Sequence, residues 1–126
     1  MQVWQHQGMG IRDVFKRLGS SVEELDAAKL QSRFVDLPCT RIAGCEARQS
    51  LRVGGEVKRM RSVPRSGAPS LEVVISDGSA DLIAVFSGRR DIPGITHGRH
   101  VMFEGVAHNE HGRLVLLNPA YTLLAY

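Results

Sequence analysis

Aromatic residues are scarce in this 126-residue chain, which has four Phe, two Tyr and one Trp. Proteins that grip single strands without sequence preference stack bases on exposed aromatic rings, so tight binding of that kind is disfavoured. Cysteine is nearly absent. Cys39 and Cys45 allow one disulfide by count. Met1–Gly10, however, has neither the basic start nor the apolar run of a secretory leader. The expectation is a cytoplasmic, reducing location with both thiols free. No apolar stretch approaches the roughly 20 residues that a membrane span needs.

Catalytic signatures are missing too. There is no phosphate-binding P-loop, no Gly-x-Ser-x-Gly elbow and no His-Glu-x-x-His. Gly8-Met-Gly10 precedes a helical segment instead of following a strand, so it is no dinucleotide fingerprint. The acids Asp77, Asp81 and Asp91 stand singly in turn-like contexts. His97/His100 and His108/His111 each have a His-x2-His spacing, without the tight four-ligand pattern of a structural zinc site. A non-enzymatic protein without metal or cofactor is expected.

What is present is an ordinary soluble composition, 43% hydrophobic and 23% charged, in a length that suits one domain. The net charge of +3 is modest, but its distribution is uneven. Lys58, Arg59, Arg61 and Arg65 lie in one stretch with no acid among them, a local basic stripe suited to an anionic partner.

The first third reads as helical. Ile11, Val14, Phe15 and Leu18 fall at i, i+3, i+4 and i+7, one apolar helix face. Gly19 is expected to stop that segment. Ser21 with Glu24 forms a capping-box pattern that opens a second helix over Val22–Phe34, with a looser stripe of Val22, Leu25, Ala28 and Phe34. Asp36-Leu37-Pro38 ends it, and a connector runs to Arg48.

From Gln49 onward the texture changes, with ten of the 13 glycines at or after Gly44. Five strands are expected: Ser50–Val63, Leu71–Ser76, Ala80–Phe86, His100–Ala107 and Arg113–Leu117. Asp77-Gly78 signals a hairpin, and Asn118-Pro119 breaks the fifth strand before a short tail strand over Tyr121–Ala125. Residues 1–48 then form a helical arm and connector, and residues 49–126 a barrel. Five short strands close into a small barrel more readily than they fill a sandwich. The long first strand must bend, and Gly54-Gly55 supplies the bend. The apolar positions Val53, Val57, Met60 and Val63 change phase between Val57 and Met60, as a bulge would cause.

Val53-Gly-Gly-Glu-Val57, the Ile75-Ser-Asp77-Gly78 hairpin and a third strand ending in Phe86 resemble OB-folds of the tRNA-synthetase anticodon-binding and helicase-wedge type. Gly88-Arg-Arg-Asp-Ile-Pro-Gly94-Ile, Gly98-Arg99 and Leu117-Asn118-Pro119-Ala-Tyr121 are similar to short actinobacterial OB-fold nucleic-acid-binding domain proteins. The likeness covers roughly Cys45 to Tyr121. It implies a mainly β fold, a five-stranded Greek-key barrel preceded by two short helices. The helix such barrels carry between strands three and four has no counterpart in Ser87–Gly98, so the N-terminal helices are expected to help close the barrel.

Ligands of OB-folds lie across strands two and three, between the β1–β2 and β4–β5 loops. Arg59, Arg61 and Arg65 flank one side, and Arg113 the other beside His108 and His111. Arg89 and Arg90 follow the third strand, and Phe86 is the best stacking candidate. These seven residues (Arg59, Arg61, Arg65, Phe86, Arg89, Arg90 and Arg113) are the expected contacts to single-stranded or structured DNA or RNA, held mainly through phosphates. The competing expectation is a protein-interaction module, docking to a larger assembly or to a second copy through the barrel or the N-terminal helix, with no membrane involved.

Overall fold

The computed structural model describes residues 11–125, with side chains over 21–125. The chain forms one helix, α1 (Ile11–Phe34), and six strands: β1 (Ser50–Ser62), β2 (Ser70–Ser76), β3 (Asp81–Ser87), β4 (His100–Glu110), β5 (Arg113–Leu117) and β6 (Ala120–Leu123). One helix thus replaces the two expected. Gly19, Ser20 and Ser21 lie inside it. Glycine lowers helix propensity by only about 1 kcal/mol relative to alanine, and flanking residues on both sides carry the helix through. The expected apolar face of Ile11, Val14, Phe15 and Leu18, and the Met1–Gly10 segment, lie outside the residues whose side chains are described. No helix is long and apolar enough to cross a membrane among the described residues.

The sheet runs β1-β2-β3-β5-β4-β6, and β1 also pairs with β4. Five strands therefore form a ring, with β6 added outside it along β4. All neighbouring pairs are antiparallel except β3–β5. Strand β1 holds the ring together by changing partners. Its first half pairs with β4 from Ser50↔Val106 to Glu56↔His100. Its second half pairs with β2 from Glu56↔Ser76 to Ser62↔Leu71. The register slips between Val57 and Arg59, which places the bulge in the interval where the apolar phase shifts. At the bend the strand is crowded. A Cβ on Gly54 would sit 2.9 Å from Cδ1 of Phe34, and one on Gly55 3.0 Å from the Ser76 carbonyl.

The inward positions alternate as a pleated strand requires. Val53 and Val57, Val73 and Ile75, Leu82, Val101, Phe103 and Leu116 are essentially inaccessible, and each such side chain stabilises the fold by about 1.5–3 kcal/mol before entropy. Strand β3 is covered on both sides. Leu82, Ala84 and Phe86 face the core, while Ile83 and Val85 join Val74 and Val115 in a second buried cluster. Its continuous apolar run follows from that double burial.

The barrel interior is completed by connectors, not by the helix. Ile92 and Ile95 of the β3–β4 connection join the main core, as does Ile42 from a short 3-10 turn (Ile42–Gly44). The helix instead fastens to the outside through Leu30 and Phe34, both buried. Asp77 is buried at the β2–β3 turn, where its carboxylate accepts hydrogen bonds from the backbone N–H groups of Ile42 and Ser79, each at 2.9 Å. Asp77 therefore ties the connector to the turn as well as shaping the turn itself.

Candidate functional site

Past the bulge, Arg59 stands opposite Val74 and Arg61 opposite Glu72. Both arginines are exposed. Arg113 opens β5 from the far side. These three side chains meet around an open groove of about 660 Å³ that is also lined by Lys58, Glu72 and His97. Among the described residues Glu72 is the only acid on its lining, and its Oε1 is held by Nε of Arg61 at 3.2 Å. Among the described residues no carboxylate pairs with Arg59 or Arg113. The groove therefore presents a surplus of positive charge over a floor that includes Val74.

Lys58 and His97 were not among the expected contacts. Lys58 carried a signal, since it opens the acid-free basic run. Its ammonium is shared with Glu56, whose Oε2 accepts from Nζ at 2.8 Å. His97 carried none. It reaches the groove because the β3–β4 connection is pinned to the bulge: Gly98 N–H donates to the Val57 carbonyl, and Val57 N–H to that of Arg99, each at 2.9 Å.

The remaining expected residues are placed differently. Arg65 lies in the β1–β2 loop, and its Nη2 contacts both carboxylate oxygens of Glu110, at 2.9 and 3.1 Å. Arg65 is thus engaged within the fold. Arg90 lines an adjoining groove of about 450 Å³ that shares Met60 and Arg61 with the first. Arg89 is exposed beside it in the chain.

Phe86 requires a correction. It is only 5% exposed and cannot stack a base. Its position in β3 points it inward, where it packs edge-on against Phe103 with ring centroids 5.8 Å apart and against Tyr121 at 6.1 Å. With Phe86 in the core, no described Phe, Tyr or Trp lines the groove.

Behind Lys58 the barrel meets the helix. Glu56 lies between Lys58 and His100, whose Nε2 is 3.4 Å from the Glu56 Oε1. Burial pushes the Glu56 carboxyl up, but the Lys58 ammonium and the His100 ring outweigh it and hold the carboxyl below its usual range. Phe34 packs against the His100 ring at 5.1 Å. Both cysteines are free thiols at this end of the molecule. Burial first, and the Asp77 charge as well, push both thiols up.

No protein-family model matches this chain, and no curated protein matches it.

Proposed function

We propose that this chain is a non-catalytic nucleic-acid-binding protein with an OB-fold barrel, contacting single-stranded or structured DNA or RNA through phosphates. The observation that carries the reading is the groove around Arg59, Arg61 and Arg113, with Lys58 and His97 at its edge and one acid, already paired. The closed five-strand ring with a parallel β3–β5 pair suits the same reading. So does the position of the groove, between the β1–β2 hairpin and the start of β5. With no described Phe, Tyr or Trp on the groove's lining, charge dominates the affinity, so binding is sequence-tolerant and steeply weakened by salt.

The test is fluorescence anisotropy with labelled single-stranded DNA, duplex DNA and hairpin RNA over a series of salt concentrations. Replacing Arg59 and Arg113 by Ser should weaken binding at low salt. It should also flatten the slope of log K against log salt by roughly 0.7–0.9 per lost phosphate contact. Unchanged binding in that double variant would reduce the groove to a solvated face.

A second reading, a protein-interaction module, is favoured by one observation. Val22 and Leu25 on the helix are 56% and 60% exposed. If the parent chain binds none of the three probes at low salt, that reading takes precedence.

A further inference from the structure

Beyond the bulge one margin of β1 is unpaired, and two unlike grooves meet along it. Val63 and Ser70 exchange both backbone hydrogen bonds, at 2.9 and 3.1 Å. Bonded pairs recur at every second residue of an antiparallel ladder, so Arg61 and Arg59 bond across to Glu72 and Val74. The N–H and C=O groups of Met60 and Ser62 therefore point away from β2. On that side the amide and carbonyl of Val57 are taken by Arg99 and Gly98. Among the described residues no backbone group takes those of Met60 or Ser62, and both residues are exposed.

Side chains alternate across the same margin. Arg59 and Arg61 share a face with Val74 and Glu72 and line the basic groove. Met60 and Ser62 stand on the opposite face with Val73 and Leu71, which belong to the main core. The adjoining groove of about 450 Å³ is lined by Met60, Ser62 and Leu71 together with residues 90–96. It has apolar surface from the exposed Met60 and Pro93 and from the buried Ile92 and Ile95. Its charge is balanced, because Arg90 is matched in number by Asp91 and Arg61 is held by Glu72. The basic groove and this neutral one share Met60 and Arg61.

A nucleotide has the same division, with a charged phosphate on one side of the sugar and a neutral ring on the other. We propose, resting on the nucleic-acid reading above, that the second groove seats one base of a bound single strand. The phosphates lie along Arg59, Arg61 and Arg113. The strand turns one base round the margin of β1, where the N–H and C=O groups of Met60 and Ser62 meet the donors and acceptors on the base edge. Two outward-facing positions are few for an added peptide strand but suffice for one base. A single strand splays its bases out freely. A duplex must first unpair and unstack the base, which costs a few kcal/mol. The ligand class is therefore single-stranded nucleic acid, held by charge and selected by the base seat.

Fluorescence anisotropy with labelled oligothymidylate, an abasic strand of equal phosphate count and a duplex tests this. Oligothymidylate should bind about tenfold tighter than the abasic strand, with the same salt slope. Ser62→Pro removes the outward N–H without breaking the β1–β2 ladder, a position where a strand tolerates proline. It should erase the advantage of oligothymidylate and leave abasic binding unchanged, while Ser62→Ala keeps the advantage. A single strand carrying photoreactive iodouracil should crosslink to Met60 or to residues 90–96, which needs no variant to fold. Equal binding of the abasic strand and oligothymidylate would overturn the seat and leave the charged groove standing. Failure of every strand to bind at low salt would overturn the reading beneath it. A folded Ser62→Pro chain that keeps the advantage, or crosslinks confined to other segments, would overturn the margin of β1 as the place where the base sits.

Discussion

Arg65 and Glu110 lie 45 residues apart in the chain and meet in an ion pair, one guanidinium nitrogen reaching both carboxylate oxygens at 2.9 and 3.1 Å. The pair ties the β1–β2 loop to the end of β4, the segments that lead into β2 and β5, whose Glu72 and Arg113 line the proposed binding groove. It also neutralises a cation that the basic run offers to a ligand.

Removing the acid should therefore strengthen binding. Glu110→Gln leaves Arg65 free on the loop that leads from β1 to β2. The slope of log K against log salt should steepen by roughly 0.7–0.9 for one added phosphate contact. Both side chains are about one-third exposed, so the stability lost should be under about 1 kcal/mol. Salt-titrated anisotropy and urea unfolding check the two halves of this expectation; weaker binding would mean that the pair positions the loop.

Gly78 should tolerate no side chain. Its φ is +89°, and a Cβ there would sit 2.2 Å from the Ala27 carbonyl oxygen. Gly78→Ala should cost about 2 kcal/mol or more, from left-handed backbone strain and from displacement of the helix. Urea unfolding reads the loss. Gly112→Ala, with φ +80° and open space around it, should cost only the backbone share of about 1–2 kcal/mol.

Acid should destabilise the protein partly through Glu56. Its folded-state carboxyl is held low by Lys58 and His100. The stabilisation is present above the unfolded-state value and is lost as pH falls through the lower folded-state value. Between pH 6 and pH 3 the urea midpoint of the parent should fall further than that of Glu56→Gln. Parallel curves would show that the pairings contribute nothing net.

Cys39 and Cys45 carry raised thiol values, and the thiolate is the form that attacks alkylating agents. Alkylation by iodoacetamide at pH 7.5 should be several-fold slower in the folded protein than in urea. The linkage sign is opposite to that of Glu56: stability is lost as pH rises past the unfolded thiol value.

Phe86→Leu separates packing from binding. The ring is enclosed with Phe103 and Tyr121. The change should lower stability by about 1–1.5 kcal/mol and leave the salt slope of binding unchanged. A selective loss of single-strand affinity at equal folding would return the ring to a stacking role.

Much of the fold was legible because local chemistry and tertiary packing agree. Asn118-Pro119 reads as a strand breaker. Asn118 does stop β5, with φ 48° and its side-chain oxygen accepting from Ser87 N–H at 2.8 Å. The phase change after Val57 located a bulge because a shared strand must slip where it changes partner. Phe86 was harder to place. Strand β3 is apolar at every position from Leu82 to Phe86, so alternation does not say which set faces in. Gly19 misled for a related reason, since a single helix-weakening residue is outweighed by its neighbours. Of the site, the acid-free run pointed to Arg59 and Arg61. Arg65's partner lies on a strand far along the chain, and His97 arrives by backbone hydrogen bonds that leave no pattern in the sequence.

The partner change in β1 also dictates an order of events. Ser50 pairs with Val106 and Ile83 with Val115, so completing the ring means closing loops on the order of 50 and 30 residues. As the chain emerges during synthesis, β1, β2 and β3 can pair as hairpins. The first half of β1 must wait for β4, and β3 keeps a bare margin until β5 arrives. Every shorter fragment therefore exposes unpaired backbone at two margins, the condition that invites sticking to other chains. Only a chain extended past Leu117 can hide them all in one step, which makes the last strand of the ring the gatekeeper of solubility for the strands before it.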